Sequence, residues 1–129
     1  MANAKSVTLN VLTENVAKND VAESVLDTGT DAVTIPLTPD GDTHNILLKF
    51  ENNAADADIM TVEILAGDNP PAFQAGLGDL SIALAQNEID YAVIESARFM
   101  QSDGTISIKS TPAASKTQTL KITAIKLPK

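Results

Sequence analysis

Few side chains in this sequence could do chemistry. His44 is the only histidine and there is no cysteine, so a Ser-His-Asp mechanism would need His44 to serve alone as the base for one of the serines. His44 lies between a polar turn and an apolar alternating stretch that begins at Asn45, an ordinary surface position. The chain contains no Gly-x-Ser-x-Gly elbow. Without cysteine, thiolate zinc sites, iron-sulfur clusters, disulfides and cysteine nucleophiles are all excluded.

The carboxylates offer little more. Asp31, Asp40 and Asp42 could donate oxygens to calcium, but that ion needs about six to eight ligands, and the Asp-Gly-Asp spacing lacks the rest of an EF-hand loop. Glu51, Asp56 and Asp58 read as a solvated hairpin end. Glu88 with Asp90 or Glu95 could be drawn as a glycosidase pair, yet there is no tryptophan, and Tyr91 is the only tyrosine available to hold a sugar. Gly76-Leu77-Gly78 precedes an apolar strand pattern instead of following one and opening a helix, so it reads as a sharp turn and not a phosphate loop. Arg98, the only arginine, could clamp a carboxylate across an interface with its planar fork. The sequence therefore predicts no catalytic, cofactor-binding or metal-binding residues and no enzyme.

The elements that would carry these residues are strands. Apolar residues alternate with polar ones at Val7, Leu9 and Val11, at Val33, Ile35 and Leu37, at Ile46, Leu48 and Phe50, and at Met60, Val62 and Ile64. The same period of two returns at Leu80, Ile82 and Leu84, at Ile106 and Ile108, and at Leu120 and Ile122. From Ile89 to Met100 the phase of Ile89, Tyr91 and Val93 is broken by Ile94, which predicts one or two strands with a bulge. A slip from Leu120 and Ile122 to Ile125 and Leu127 predicts a second bulge or a strand that changes sheets.

Turn chemistry separates the strands at Pro39-Asp40-Gly41-Asp42, Glu51-Asn52-Asn53, Ala66-Gly67-Asp68-Asn69-Pro70-Pro71 and Ser102-Asp103-Gly104. Helical patterning is confined to a weak amphipathic stretch from Glu14 to Leu26 and one turn near Pro71 to Gly76. The prediction is an all-β, antiparallel, jelly-roll-like β-sandwich with little helix, a single domain over residues 1–129 with a short N-terminal arm at 1–6.

Charge sharpens the picture. The net charge of −8 belongs to residues 1–66, where 11 acids face three lysines, whereas residues 67–129 balance six acids with six bases and carry no acid after Asp103. Such a chain repels phosphate backbones, and with four aromatics it has little surface for stacking on bases. Nucleic acid is not an expected partner. No apolar run approaches a membrane span or a signal-peptide core. The charge division suits solvated strand faces, or oppositely charged surfaces of neighbouring copies meeting head to tail.

Two segments carry a resemblance. Ala66-Gly67-Asp68-Asn69-Pro70-Pro71-Ala72-Phe73-Gln74-Ala75-Gly76-Leu77-Gly78-Asp79-Leu80, followed after a strand by Glu95-Ser96-Ala97-Arg98-Phe99-Met100-Gln101-Ser102-Asp103-Gly104-Thr105-Ile106, is similar to small head decoration, or cement, proteins of tailed bacteriophages. That resemblance covers about a third of the chain. It implies a protein on the virion surface, made in the host cytoplasm, that bridges subunits of the major capsid protein without a cofactor, often as a homotrimer. Partner contacts would then fall at Asp68, Pro70, Pro71, Phe73 and Arg98. A tail or fibre component, or a β-sandwich module for a ligand or glycan, would use the same fold.

Overall fold

A computed structural model describes residues 4–18, 21–27, 32–37, 45–53, 59–68, 76–111 and 119–127. The alternation seen in the sequence becomes ten strands in two facing sheets: β1 (Ala4–Ser6), β2 (Leu9–Val11), β3 (Ser24–Asp27), β4 (Ala32–Pro36), β5 (Asn45–Asn52), β6 (Met60–Ile64), β7 (Leu80–Leu84), β8 (Ile89–Glu95), β9 (Thr105–Thr111) and β10 (Thr119–Lys126). A single helical turn, α1 (Ser96–Phe99), follows β8.

One sheet runs β1-β4-β9-β6-β7 and the other β2-β10-β5-β8, with β3 also paired to β10. Strands β3 to β10 pair as β3 with β10, β4 with β9, β5 with β8 and β6 with β7, all antiparallel. That nested pairing is one long hairpin. Rolled up so that β10 also meets β5 and β9 also meets β6, it is a jelly roll.

The two sheets enclose one core. Val33, Ile35, Val62, Ile64, Ile106 and Ile108 from one sheet meet Ile46, Leu48, Phe50, Leu120 and Ile122 from the other, all buried. Each such side chain contributes roughly 1.5 to 3 kcal/mol relative to exposure.

The first strand pattern divides into two strands. β1 runs parallel to β4 on the edge of one sheet. Val7 then turns inward, fully buried, with its N–H donated to Thr34 O at 2.9 Å, and β2 runs parallel to β10 on the edge of the other sheet. The chain thus straddles both sheets and seals that flank. Ala4–Ser6, within the stretch expected to be an arm, is accordingly a strand of the chain's own sheet.

Asn10 fixes the crossing. Its amide donates to Ala22 O at 3.0 Å and Ala124 O at 2.9 Å, while its Oδ1 accepts from the Ala22 N–H at 2.8 Å. The stretch expected to be amphipathic helix instead holds a turn at Asn15 (φ 61°) and the strand β3, which takes the edge of β10 beyond β2.

Three other expectations are corrected. β10 keeps one continuous register with β5 from Leu120 to Lys126, so it has no bulge and changes no sheet. β8 is likewise regular; the apparent fault at Ile94 arises because Ile94 takes an inward position opposite Ile46 while Ile89, Tyr91 and Val93 face outward, and the chain leaves the sheet only at α1. Glu51 and Asn52 lie within β5, and the Asn52 amide donates to Leu84 O at 3.0 Å, so the strand outlasts its apolar residues.

Candidate functional site

The described parts of the two segments that carry the resemblance bond to each other at one end of the sandwich. After β6 the chain runs beside α1 and the segment that follows it: Gly67 donates its N–H to Arg98 O at 2.9 Å and Asp68 donates to Met100 O at 3.3 Å. The approach requires glycine, since a Cβ on Gly67 would stand 2.5 Å from Met100 O and 2.9 Å from Arg98 O. The Asp68 carboxylate accepts from the Ser102 N–H at 2.7 Å and the Ser102 hydroxyl at 2.6 Å. Those bonds, the hydroxyl first, hold its pKa below the usual aspartate range.

Further bonds tighten this clasp. Gln101 donates its amide to Ala66 O at 2.9 Å, and the Ala66 N–H donates to Asp79 Oδ1 at 2.7 Å. The hairpin at Ser102-Asp103-Gly104 forms as expected, with Gly104 at φ 82° and Asp103 accepting from the Thr105 N–H and hydroxyl. Gly76 and Gly78 take φ values of 94° and 70° just before β7, the turn that their sequence context predicts.

Arg98 lies half-buried at the same end. Its guanidinium carbon sits 4.7 Å from the centroid of the Phe99 ring, its Nη2 donates to Gly78 O at 3.3 Å, and its Nε is buried without a partner. Beside it opens a shallow cleft of about 180 Å³ lined by Leu80, Val93, Ile94, Glu95, Arg98 and Phe99. The structure therefore places Asp68 and Arg98 at one end, but both are engaged with the chain itself. Pro70, Pro71 and Phe73 lie outside the described residues, as do His44, Asp31, Asp40, Asp42, Asp56 and Asp58.

The remaining carboxylates fall into place structurally. Asp90 and Glu95 occupy opposite faces of β8, because they are five residues apart on a strand. Glu88 has a raised pKa, from partial burial and then from the Asp90 carboxyl beside it. Glu51 meets Lys121 at 4.0 Å across β5 and β10, and Glu63 stands opposite Lys109 across β6 and β9. Acids of the first half thus neighbour lysines of the second within one chain. Among the described residues no group of three or more His, Cys, Asp or Glu gathers to hold a metal ion.

A second feature was not legible in the sequence. Register sets Asp90, Ala92 and Ile94 opposite the inward residues Phe50, Leu48 and Ile46. Ile94 is therefore the core residue of β8, and Ile89, Tyr91 and Val93 point outward, 46%, 64% and 60% exposed. Periodicity shows which residues share a face; only pairing shows which face is inside.

The fold has a known counterpart. A crystal structure of the pre-peptidase C-terminal domain of a collagenase from Bacillus anthracis superposes with a TM-score of 0.54, over 96% of this chain and 96% of that one, at 10% identity. At that identity the likeness shows a shared all-β sandwich. No protein-family model matches the chain, and no curated protein matches it in sequence.

Proposed function

We propose that this protein is a non-enzymatic structural component of a tailed-phage virion that decorates the capsid and stabilises it by bridging subunits of the major capsid protein. The observation that supports this reading is the clasp. The two segments resembling decoration proteins are not separate turns but one bonded platform, built around Gly67 and Asp68, at one end of a jelly roll. A bonded loop platform at the end of a β-sandwich suits a protein that acts by contact. Repeated over a lattice, weak contacts of this kind sum through multivalency.

Particles assembled without the protein test the reading. Their heads should lose contents at lower temperature than complete particles, and electron microscopy of complete particles should place the protein on the head. Density on the tail or a fibre would move the assignment to that component. Heads of unchanged stability would overturn it.

Tyr91, 64% exposed, supplies the exposed aromatic that a second reading, a ligand- or glycan-binding module, requires, whereas Phe50 and Phe99 are buried and contribute none. Chemical-shift changes centred on Tyr91 on addition of oligosaccharides would support it.

A further inference from the structure

The sandwich is sealed on one flank and open on the other. On the sealed flank β1, Val7 and β2 bridge the two sheets; on the open flank β7 and β8 end their sheets without a further partner among the described residues. Natural proteins blunt such edges with lysine, proline, a bulge or an inward-pointing charge. β8 has no lysine, proline or bulge, its one inward charge is Asp90 near its start, and its outward residues are Ile89, Tyr91 and Val93.

Backbone polarity sharpens the point. Asn52 donates its N–H to Glu88 O at 3.1 Å, which makes 52 and 88 a pair bonded across β5 and β8, while the Glu88 N–H itself donates to Ala85 O at 3.0 Å. By alternation the main-chain groups of Asp90, Ala92 and Ile94 face β5, and those of Ile89, Tyr91 and Val93 face the free edge. The residues with apolar, exposed side chains are thus the ones with available N–H and C=O groups.

We propose that a second copy of this chain occupies that edge, with β8 pairing antiparallel to β8 of the other copy about a two-fold axis at Tyr91. In this register Tyr91 faces its own counterpart and Ile89 faces Val93, so the apolar row continues unbroken across the joint. Both are hydrogen-bonded pairs, since all three residues direct their main chain outward. No acid stands directly opposite an acid: Asp90 faces Ala92, Glu88 faces Ile94 and Glu95 faces Asn87. Centring the axis on Ala92 would set Ile89 against Glu95, and centring it on Asp90 would oppose two aspartates, which is destabilising. The contact is isologous and closes at two copies.

Because the chain lacks cysteine, the register can be read by cross-linking. Directly opposed residues of a hydrogen-bonded pair have Cα atoms about 5.5 Å apart, within the span a disulfide bridges. Tyr91→Cys should form a covalent dimer on mild oxidation. Ile89→Cys and Val93→Cys should each cross-link poorly alone and efficiently when mixed. Sedimentation of the unmodified protein at high micromolar concentration should show a dimer, and Tyr91→Lys should weaken it about tenfold or more, with circular dichroism unchanged. A monomer at every concentration, a trimer, or a dimer indifferent to Tyr91→Lys would overturn the proposal. The measurement uses the purified protein alone, so its outcome is independent of capsid binding.

Discussion

Gly67 passes so close to Met100 that a methyl group on it would lie 2.5 Å from the Met100 carbonyl oxygen. The contact joins the β6–β7 connection to the turn after β8, and it makes one unit of two stretches with β7 and β8 between them. Neither obstructing atom can yield easily, because Met100 O accepts from Asp68 and Arg98 O accepts from Gly67 itself.

Gly67→Ala should therefore open the clasp. The expected cost is about 2 kcal/mol, read as a lowered midpoint of urea unfolding with an unchanged slope. Amide exchange at Gly67, Asp68 and Ser102 should accelerate more than exchange in β5 and β10. Equal protection throughout would show that the loops are not held by this contact.

The Asp68–Ser102 pair gives the clasp a pH dependence. With its folded pKa depressed by Ser102, Asp68 contributes stability that is present above the ordinary aspartate pKa and is lost as pH falls below about 4. Ser102→Ala should raise the Asp68 pKa toward the ordinary value, seen in the carboxyl carbon shift, and should flatten that part of the acid limb.

The sealed flank depends on Asn10, which is 4% exposed and makes three hydrogen bonds to Ala22 and Ala124. Asn10→Ala removes all three and strands their main-chain partners, at a cost of about 3 kcal/mol and a fall in Tm of roughly 10 °C. Asn10→Asp keeps the shape but sets an acceptor against two carbonyls, so it should be no better tolerated.

Salt separates two modes of association. Two copies joined through Ile89, Tyr91 and Val93 carry like net charge, so their dimer should hold or tighten as salt rises from about 0.05 to 0.5 M. A head-to-tail meeting of the acidic half with the lysine-rich end would weaken over the same range.

Much of the fold was legible because period-two alternation marks a half-buried strand wherever one face meets the core, as at Ile46, Leu48 and Phe50. The same rule misled at β8, where the more prominent apolar set, Ile89, Tyr91 and Val93, faces outward and only pairing with β5 reveals it. β3 escaped notice because Ser24–Asp27 is a short edge strand held by pairing with β10, with no alternation to mark it. At the clasp, turn chemistry located both loops, but no spacing in the sequence states that Gly67 and Met100 touch.

The central claim is that the protein works by binding a repeated capsid surface. Its most direct measurement is titration of the purified protein onto expanded capsids that lack it. Binding should saturate at micromolar concentration, at a fixed number of copies per shell, with a gain in the shell's thermal stability. Capsids that take up none at that concentration would contradict it.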